Sequence, residues 1–350
     1  VIAVPTIKEI AARANVSIAT VSKVLNGMGG ASEQTIAKIQ ELAREMNYTP
    51  NILAKSLKIR QSRTIGIITE DLTVFNTPEI VDGIDYCCEK NDYHYILGNL
   101  RLNKRFGHDF FETDLHHQII DTTISTMLSK QVEGIIYVGC HNHEIHYLPE
   151  NLKIPLVCAY CYSSNPNNPS VIYDDKKAGC DATELLIKNG HRAIGIICGL
   201  PDSEHTQNRL RGYQEALYEN SILFNPRMLV YGNWERESGY RASRQLVENG
   251  VTAIFAHNDE MALGVVDYCN EANLTVGKDL SLIGFDNKEI GTVCRPKLST
   301  VSLPLFEIGE KATEIILNLI SGTDSMPEEH LKMECHLLNR ESVSAIEPKE

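Results

Sequence analysis

Two sets of side chains in this 350-residue chain have the types and spacing for recognition chemistry. The first is Ile18, Ala19, Ser22 and Lys23, which share the outward face of a short helix within Thr6 to Asn26. Small apolar groups there can meet thymine methyls and a lysine can donate to guanine, the chemistry of base edges in a DNA major groove. The second set is Arg209, Trp234, Asn258 and Asp286, each at a helix start or just after an apolar, strand-like run. A guanidinium, an amide and a carboxylate beside an aromatic face suit a polyol, because hydroxyls both donate and accept while the ring covers an apolar sugar face. Two plainer roles stay open: an Asn-Asp pair after a strand also suits a helix cap, and a tryptophan also suits a core.

The elements that must hold the first set are legible in the segment TIKEIAARANVSIATVSKVLN. Thr6 with Glu9 three positions on forms a capping box, and Ile7, Ile10 and Ala11 recur at helical spacing. Asn15 suits a turn with positive φ, and Ser17 caps a second helix whose Val21, Val24 and Leu25 face inward. From Ser32 onward, Ile36, Ile39, Leu42, Ala43 and Met46 predict a third helix that closes a small core. Thr6, Ser17, Thr20 and Asn26 complete the set of DNA contacts expected from this head.

The second set needs a different frame. From Arg63 onward, strand-like runs alternate with helical stretches: Thr64–Ile68, Tyr93–Leu97, Gly134–Val138 and Leu156–Ala159, with helices around Glu79–Lys90 and Gln118–Gln131. After the Pro/Asn/Ser-rich stretch Ser163–Ser170 the alternation restarts, with Ala193–Cys198, Met228–Tyr231, Ala253–Ala256 and Ser281–Gly284 as strands. Such a pattern predicts two α/β lobes, each a parallel sheet wrapped by helices, with a ligand cleft outside the C-terminal ends of the strands.

The runs VSIATVSKVLN, NYTPNILAKSL and RTIGII resemble the lactose-repressor/galactose-repressor family of bacterial transcription factors, and the resemblance continues to the C-terminus. It implies an α plus α/β architecture: a helix-turn-helix head over 1–50, a hinge helix and linker over 51–63, and a two-lobed, periplasmic-binding-protein-like body over 64–350. The first lobe is expected over about 64–170 plus 299–323, and the second over about 171–298 plus 324–345, with the chain crossing back near Ser299. The segment corresponding to Pro50, Asn51, Ala54 and Leu57 becomes a hinge helix on operator DNA, with the leucine wedged into the minor groove. The residue types fit: Pro50 favours a helix start, Leu57 is an apolar wedge, and Lys55, Lys58, Arg60 and Arg63 lie nearby to meet phosphate. By the same resemblance Arg209, Trp234, Asn258 and Asp286 match effector-holding positions. Glu70 falls where a small hydroxyl residue is found, and Tyr160 where sugar-responsive members often place an aspartate, so the pocket is expected to be more acidic on one side and bulkier on the other.

Charge divides the chain in the same way. Residues 1–63 carry nine Lys/Arg against four Glu, whereas the remainder carries 24 basic and 42 acidic residues within an overall charge of −13. A basic head can bind DNA while an acidic body is kept off it. The ten cysteines follow no apolar secretory segment and are expected to be reduced thiols in a bacterial cytoplasm. Cys158 and Cys161 form a lone CxxC without the second pair that a zinc ribbon needs, and His141, His143 and His146 with Glu144 read as a solvated polar loop, so no metal and no cofactor is expected. No run reaches the length of a membrane span, and no leucine heptad follows Arg340. There is no GxGxxG after the first strand, no GxxxxGK[ST] and no GxSxG, so an enzyme is not expected. The expected function is a homodimeric repressor on a near-palindromic operator, controlled by a small ligand, a carbohydrate on the resemblance. The competing reading is a solute-binding sensor, which leaves the head unexplained.

Overall fold

The computed structural model describes residues 5–48, 61–107, 114–145, 147–149, 151–323 and 330–346. The chain forms two compact units, Val1–Ser62 and Arg63–Glu350. The first holds the helices Ile7–Ala14, Ile18–Leu25 and Glu33–Glu45. Their starts and stops follow from local chemistry. The Thr6 N–H donates to Glu9 Oε2 at 2.7 Å, Asn15 takes the left-handed conformation at φ 57°, and the hydroxyls of Ser17 and Ser32 accept the N–H groups of Thr20 and Thr35. Ile10, Val21 and Ile39, one from each helix, are fully buried at the centre, which is why three such short helices hold together. The hinge residues Asn51, Ala54, Lys55 and Leu57 lie outside the described residues.

The second unit begins with β1 (Thr64–Thr69), β2 (His94–Asn99), β3 (Ile135–Val138), β4 (Leu156–Ala159) and β5 (Ser170–Tyr173). It continues with β6 (Ile194–Cys198), β7 (Leu229–Tyr231), β8 (Ala253–Ala256), β9 (Ser281–Ile283), β10 (Thr300–Ser302), β11 (His330–Met333) and β12 (His336–Leu338). The first sheet has the order β11-β5-β4-β3-β1-β2 and the second β7-β6-β8-β9, with every pairing parallel, while β10 and β12 form an antiparallel ribbon. β3, β4, β5, β6 and β8 are buried along their whole length, as expected of parallel strands covered on both faces by helices, and β2 is a half-exposed edge.

The expected strands recur to within a residue or two, and Leu156–Ala159 and Ala253–Ala256 match end for end. One assignment changes. The stretch after Ser163 reads as a break between lobes, and residues 171–173 and 324–345 fall on the second-lobe side of the expected boundaries. Instead β5 and β11 pair with each other and extend the first sheet, because Val171, Ile172 and Tyr173 continue its buried apolar surface. The crossing near Ser299 is present: the helix Leu305–Ser321 packs on the helix Thr77–Lys90 of the first lobe.

Close helix packing sets up the site. The helices Asp175–Lys188 and Glu204–Glu219 meet at glycines, where a Cβ on Gly179 would lie 2.6 Å from Arg209 O and one on Gly212 would lie 2.1 Å from Lys176 O. Backbone rather than a yielding side chain stands in the way. We therefore expect Gly179→Ala to cost roughly 1–3 kcal/mol through overpacking and to displace Arg209. Thermal unfolding of the variant should show a lower midpoint, and an unchanged one would mean that the two helices can separate freely.

Candidate functional site

On the head, the structure separates the expected DNA contacts by what their side chains already do. Ser17 Oγ lies 2.9 Å from Thr20 Oγ1, and Asn26 Nδ2 donates to Ser22 O at 2.7 Å, so these groups terminate or brace the second helix. Ile18, 46% exposed, together with Ala19 and Lys23 forms the open face, and Lys23 makes no ion pair among the described residues. An unpaired cation beside two apolar groups at a helix N-terminal half is what base-edge reading requires.

The body places its candidates at the C-terminal edges of both sheets. Arg209, 3% exposed, is fully engaged: Nε donates to Asp175 Oδ1 at 2.7 Å, Nη2 to the Tyr173 hydroxyl at 2.9 Å and Nη1 to the His257 carbonyl. Its guanidinium carbon also sits 3.6 Å from the Phe285 ring centroid and 5.8 Å from that of Trp234. Asp175 closes the network by accepting from His205 Nδ1 at 2.7 Å, and His205 Nε2 accepts the Asn142 N–H at 3.3 Å, which places the imidazole proton on Nδ1. Burial would raise the Asp175 carboxyl, but His205 and Arg209 outweigh it and hold the group at about 2.

Glu70 does not face the other candidates directly. It is buried beneath His143, whose Nε2 lies 3.1 Å from Oε1, and it accepts the Cys140 N–H at 2.8 Å and the Tyr137 hydroxyl at 3.2 Å. Burial opposes its charge, yet His143, His141 and the Cys140 N–H hold it down at about 2. For His143 burial favours the neutral ring, but Glu70 and the His141 carbonyl raise its pKa. Two expectations are thereby corrected. The histidine loop is not simply solvated, since His143 is drawn into the cleft by the buried carboxylate, and the acidity added by Glu70 is offset by the same imidazole.

Tyr160, 3% exposed and left-handed at φ 60°, stacks on Tyr173 with centroids 5.5 Å apart, so the expected bulk is present and lies against the second lobe's network. Trp234, also left-handed at φ 72°, lays its indole on Gly199, where an added Cβ would lie 2.0 Å from Cζ2. Asn258 is the helix cap that its position allowed: Oδ1 accepts the Met261 N–H at 2.8 Å, and Nδ2 donates to Trp234 O at 2.9 Å, fixing the tryptophan turn. Its neighbour Asp259 accepts from Thr300 Oγ1 and from the Lys288 N–H, both at 2.7 Å. Asp286 differs from all of these. Its backbone is strained at φ 102°, its carboxylate has no hydrogen-bond partner among the described residues, and burial pushes its pKa up to about 7 despite Arg209 nearby.

Residues 6–51 match the description "Bacterial regulatory proteins, lacI family", and residues 183–343 match a periplasmic binding protein-like domain. Catabolite control protein A of Priestia megaterium is 34% identical over 317 residues, spanning 89% of this chain and 91% of that protein. The HTH-type transcriptional repressor CytR of Escherichia coli strain K12 is 31% identical over 97% of both chains. A solved structure of the Lac repressor bound to ONPG in its repressed state has a TM-score of 0.78 at 25% identity, over 97% of this chain and 100% of that one. A helix-turn-helix head and a two-lobed binding body define a ligand-responsive regulator of transcription. The chain belongs to the lacI family of bacterial regulatory proteins.

The raised pKa of Asp286 has a stability consequence with a definite sign. Between the ordinary value of 3.8 and about 7 the folded chain holds a proton that the unfolded chain has lost, so stability falls as pH rises through that window. Asp286→Asn, which cannot ionise, should therefore gain more midpoint temperature over the parent at pH 8 than at pH 5. Melting curves of both proteins at the two pH values check this, and an equal difference at each would show that Asp286 ionises normally in the folded chain.

Proposed function

We propose that this regulator is a homodimeric repressor that binds a near-palindromic operator through Ile18, Ala19 and Lys23, and whose operator affinity is set by a small, hydroxyl-bearing ligand in the interlobe cleft. The observation that carries the ligand reading is the convergence of Arg209, Trp234, Tyr160 and Asp286 on one polar, aromatic cluster where the two lobes meet. No step of catalysis is assigned to it: the cluster's strongest acid and base partners are locked in pairs, Asp175 with Arg209 and Glu70 with His143. The reading further supposes that Asn51, Ala54, Lys55 and Leu57 form a DNA-contacting hinge with Leu57 as the minor-groove wedge, and that the protein works in the bacterial cytoplasm, with no helix among the described residues long and apolar enough to cross a membrane. The domain division supported is a head to about residue 50, a hinge to 63 and the two-lobed body beyond.

Ligand control requires different affinities of the ligand for two lobe arrangements, since equal affinity shifts nothing. A solute-binding sensor without a role in transcription predicts no sequence-specific DNA binding, so a gel shift on selected operator sequences separates the two readings. Within it, Lys23→Ala should lose about 1–3 kcal/mol at one operator position and relax base preference there. A uniform loss over all operator variants would show that Lys23 meets only phosphate. Leu57→Ala should reduce operator affinity and DNA bending together, and an unchanged bend would remove the wedge assignment.

A further inference from the structure

The polar atoms left without partners in the body share a chemical character. Asn76 Oδ1, Asn142 Oδ1, Thr206 Oγ1 and His257 Nδ1 are buried and unbonded among the described residues, as is Asp71 Oδ2 just after β1. Asn76 and Asn142 follow the C-terminal ends of β1 and β3, Thr206 lies in the first turn of the helix after β6, and His257 follows β8, so all four sit at the facing edges of the two sheets. The Asn142 N–H to His205 bond and the proximity of Asn76 and Asp286 to the Tyr160 phenol tie them into one cleft. Asn76 is oriented by its Nδ2 donating to Cys140 O at 2.7 Å, which leaves an acceptor pointing free. The two amide oxygens are acceptors only, and the hydroxyl and the imidazole nitrogen can each accept. The two amide oxygens thus ask an occupant for hydrogens, while the hydroxyl and the imidazole nitrogen can take either role.

Charge points the same way. Glu70 is matched by His143 and Asp175 by Arg209, whereas the carboxylate of Asp286 has no ion pair, its two nearby cations being committed, Arg209 to Asp175 and Lys288 to Glu260 at 3.5 Å. A half-buried carboxylate at the same sheet edges as these acceptors disfavours a phosphate or carboxylate ligand, which would bring more negative charge and no donors. A hydroxyl alone would leave the ionised form of Asp286 uncompensated. An ammonium supplies three donors and one positive charge.

Resting on the reading of this cleft as the effector site, we propose that the ligand is an aminated polyol, a hydroxyl-bearing ring with a basic nitrogen that docks on the Asp286 carboxylate, and that its neutral and phosphorylated counterparts are rejected. The chain has one tryptophan, Trp234, so its fluorescence reports on this cleft alone.

The test titrates the full-length protein with glucosamine, galactosamine and mannosamine, with the parent hexoses and with the hexose 6-phosphates, following Trp234 emission and operator retention together. Expected is a response to at least one amino sugar with an affinity roughly 10- to 100-fold above its parent hexose, the scale of a charge-assisted hydrogen bond, no response to the phosphates, and loss of the amine preference in Asp286→Asn. Parent and aminated sugars binding alike, a phosphate binding best, a preference that survives Asp286→Asn, or silence from all three amino sugars would each overturn the proposal. These failures are separable from failure of the cleft itself: a neutral hexose that moves Trp234 emission and operator affinity together keeps the cleft and removes the amine. Operator release by any of these sugars with unmoved Trp234 emission and unchanged affinity in Asp286→Asn would place the effector site elsewhere.

Discussion

The ion pair between Asp175 and Arg209 is the contact on which the sensing half of this molecule depends. Both side chains are nearly inaccessible, at 2% and 3%, and the pair sits where the chain leaves the first sheet at Tyr173 and enters the helices of the second lobe. A buried pair of this kind gives little net stability, but removing one partner strands the other charge at a cost of about 3–5 kcal/mol. The exposed Lys177–Asp181 pair two residues away, with its lysine 56% accessible, is worth about 0–1 kcal/mol on the same reasoning. What the buried pair supplies is position. Arg209 is clamped by Asp175, Tyr173 and the His257 carbonyl at once, so its guanidinium plane is fixed against Phe285 and beside Trp234.

That clamp also determines which groups are left for a ligand. Arg209 already donates once from each of its three nitrogens, leaving two of its five N–H groups for a hydroxyl, and Asn258 is committed to its helix and to Trp234. Two of the residues with the chemistry expected of an effector site are therefore scaffold in this arrangement, and in the proposed site recognition passes to groups with open valences, Asp286 foremost. The strain at Asp286 follows from the same economy, because the turn after β9 is anchored by the Asp286 N–H to Val301 O and by Asp259 holding the Lys288 N–H, which together fix a backbone that few non-glycine residues adopt.

Much of this was legible in the residues because strong local rules apply. Capping boxes, a left-handed asparagine and helical periodicity placed the three helices of the head, and buried β-branched runs placed most strands of the body. Arg209, Trp234, Tyr160 and Asp286 were legible as candidates for the proposed site because they follow strand ends or match a resembled pattern. What stayed hidden depends on contacts between distant segments. Tyr173, Asp175 and His205 were missed since the polar stretch before Ser170 masks β5, and without that strand the Asp174-Asp175 turn has no place at a sheet edge. The pairing of Glu70 with His143 joins residues 73 positions apart in sequence, and nothing in the local character of the histidine loop reveals the buried carboxylate that captures it.

Beside the apolar cluster that runs from Ile65 and Tyr173 to Phe255 and Phe285, the lobes touch through polar contacts that can be exchanged. Asn142 reaches His205 at 3.3 Å, the Tyr162 hydroxyl donates to Glu204 at 3.0 Å, and Lys288 lies 4.8 Å from the centre of the Phe75 ring. Ordinary hydrogen bonds contribute about 0.5–1.5 kcal/mol each, and an exposed cation over a ring about 0.5–1. Such a set favours one lobe arrangement by a few kcal/mol at most. A ligand needs about 5.5 kcal/mol of differential affinity to reverse a two-state equilibrium from 1:99 to 99:1. One charge-assisted contact at Asp286 together with donors for the unbonded acceptors of Asn76, Asn142 and His257 lies on that scale. Exchange of these polar contacts is within a small ligand's reach, while the apolar cluster shared by the lobes holds them together as they adjust.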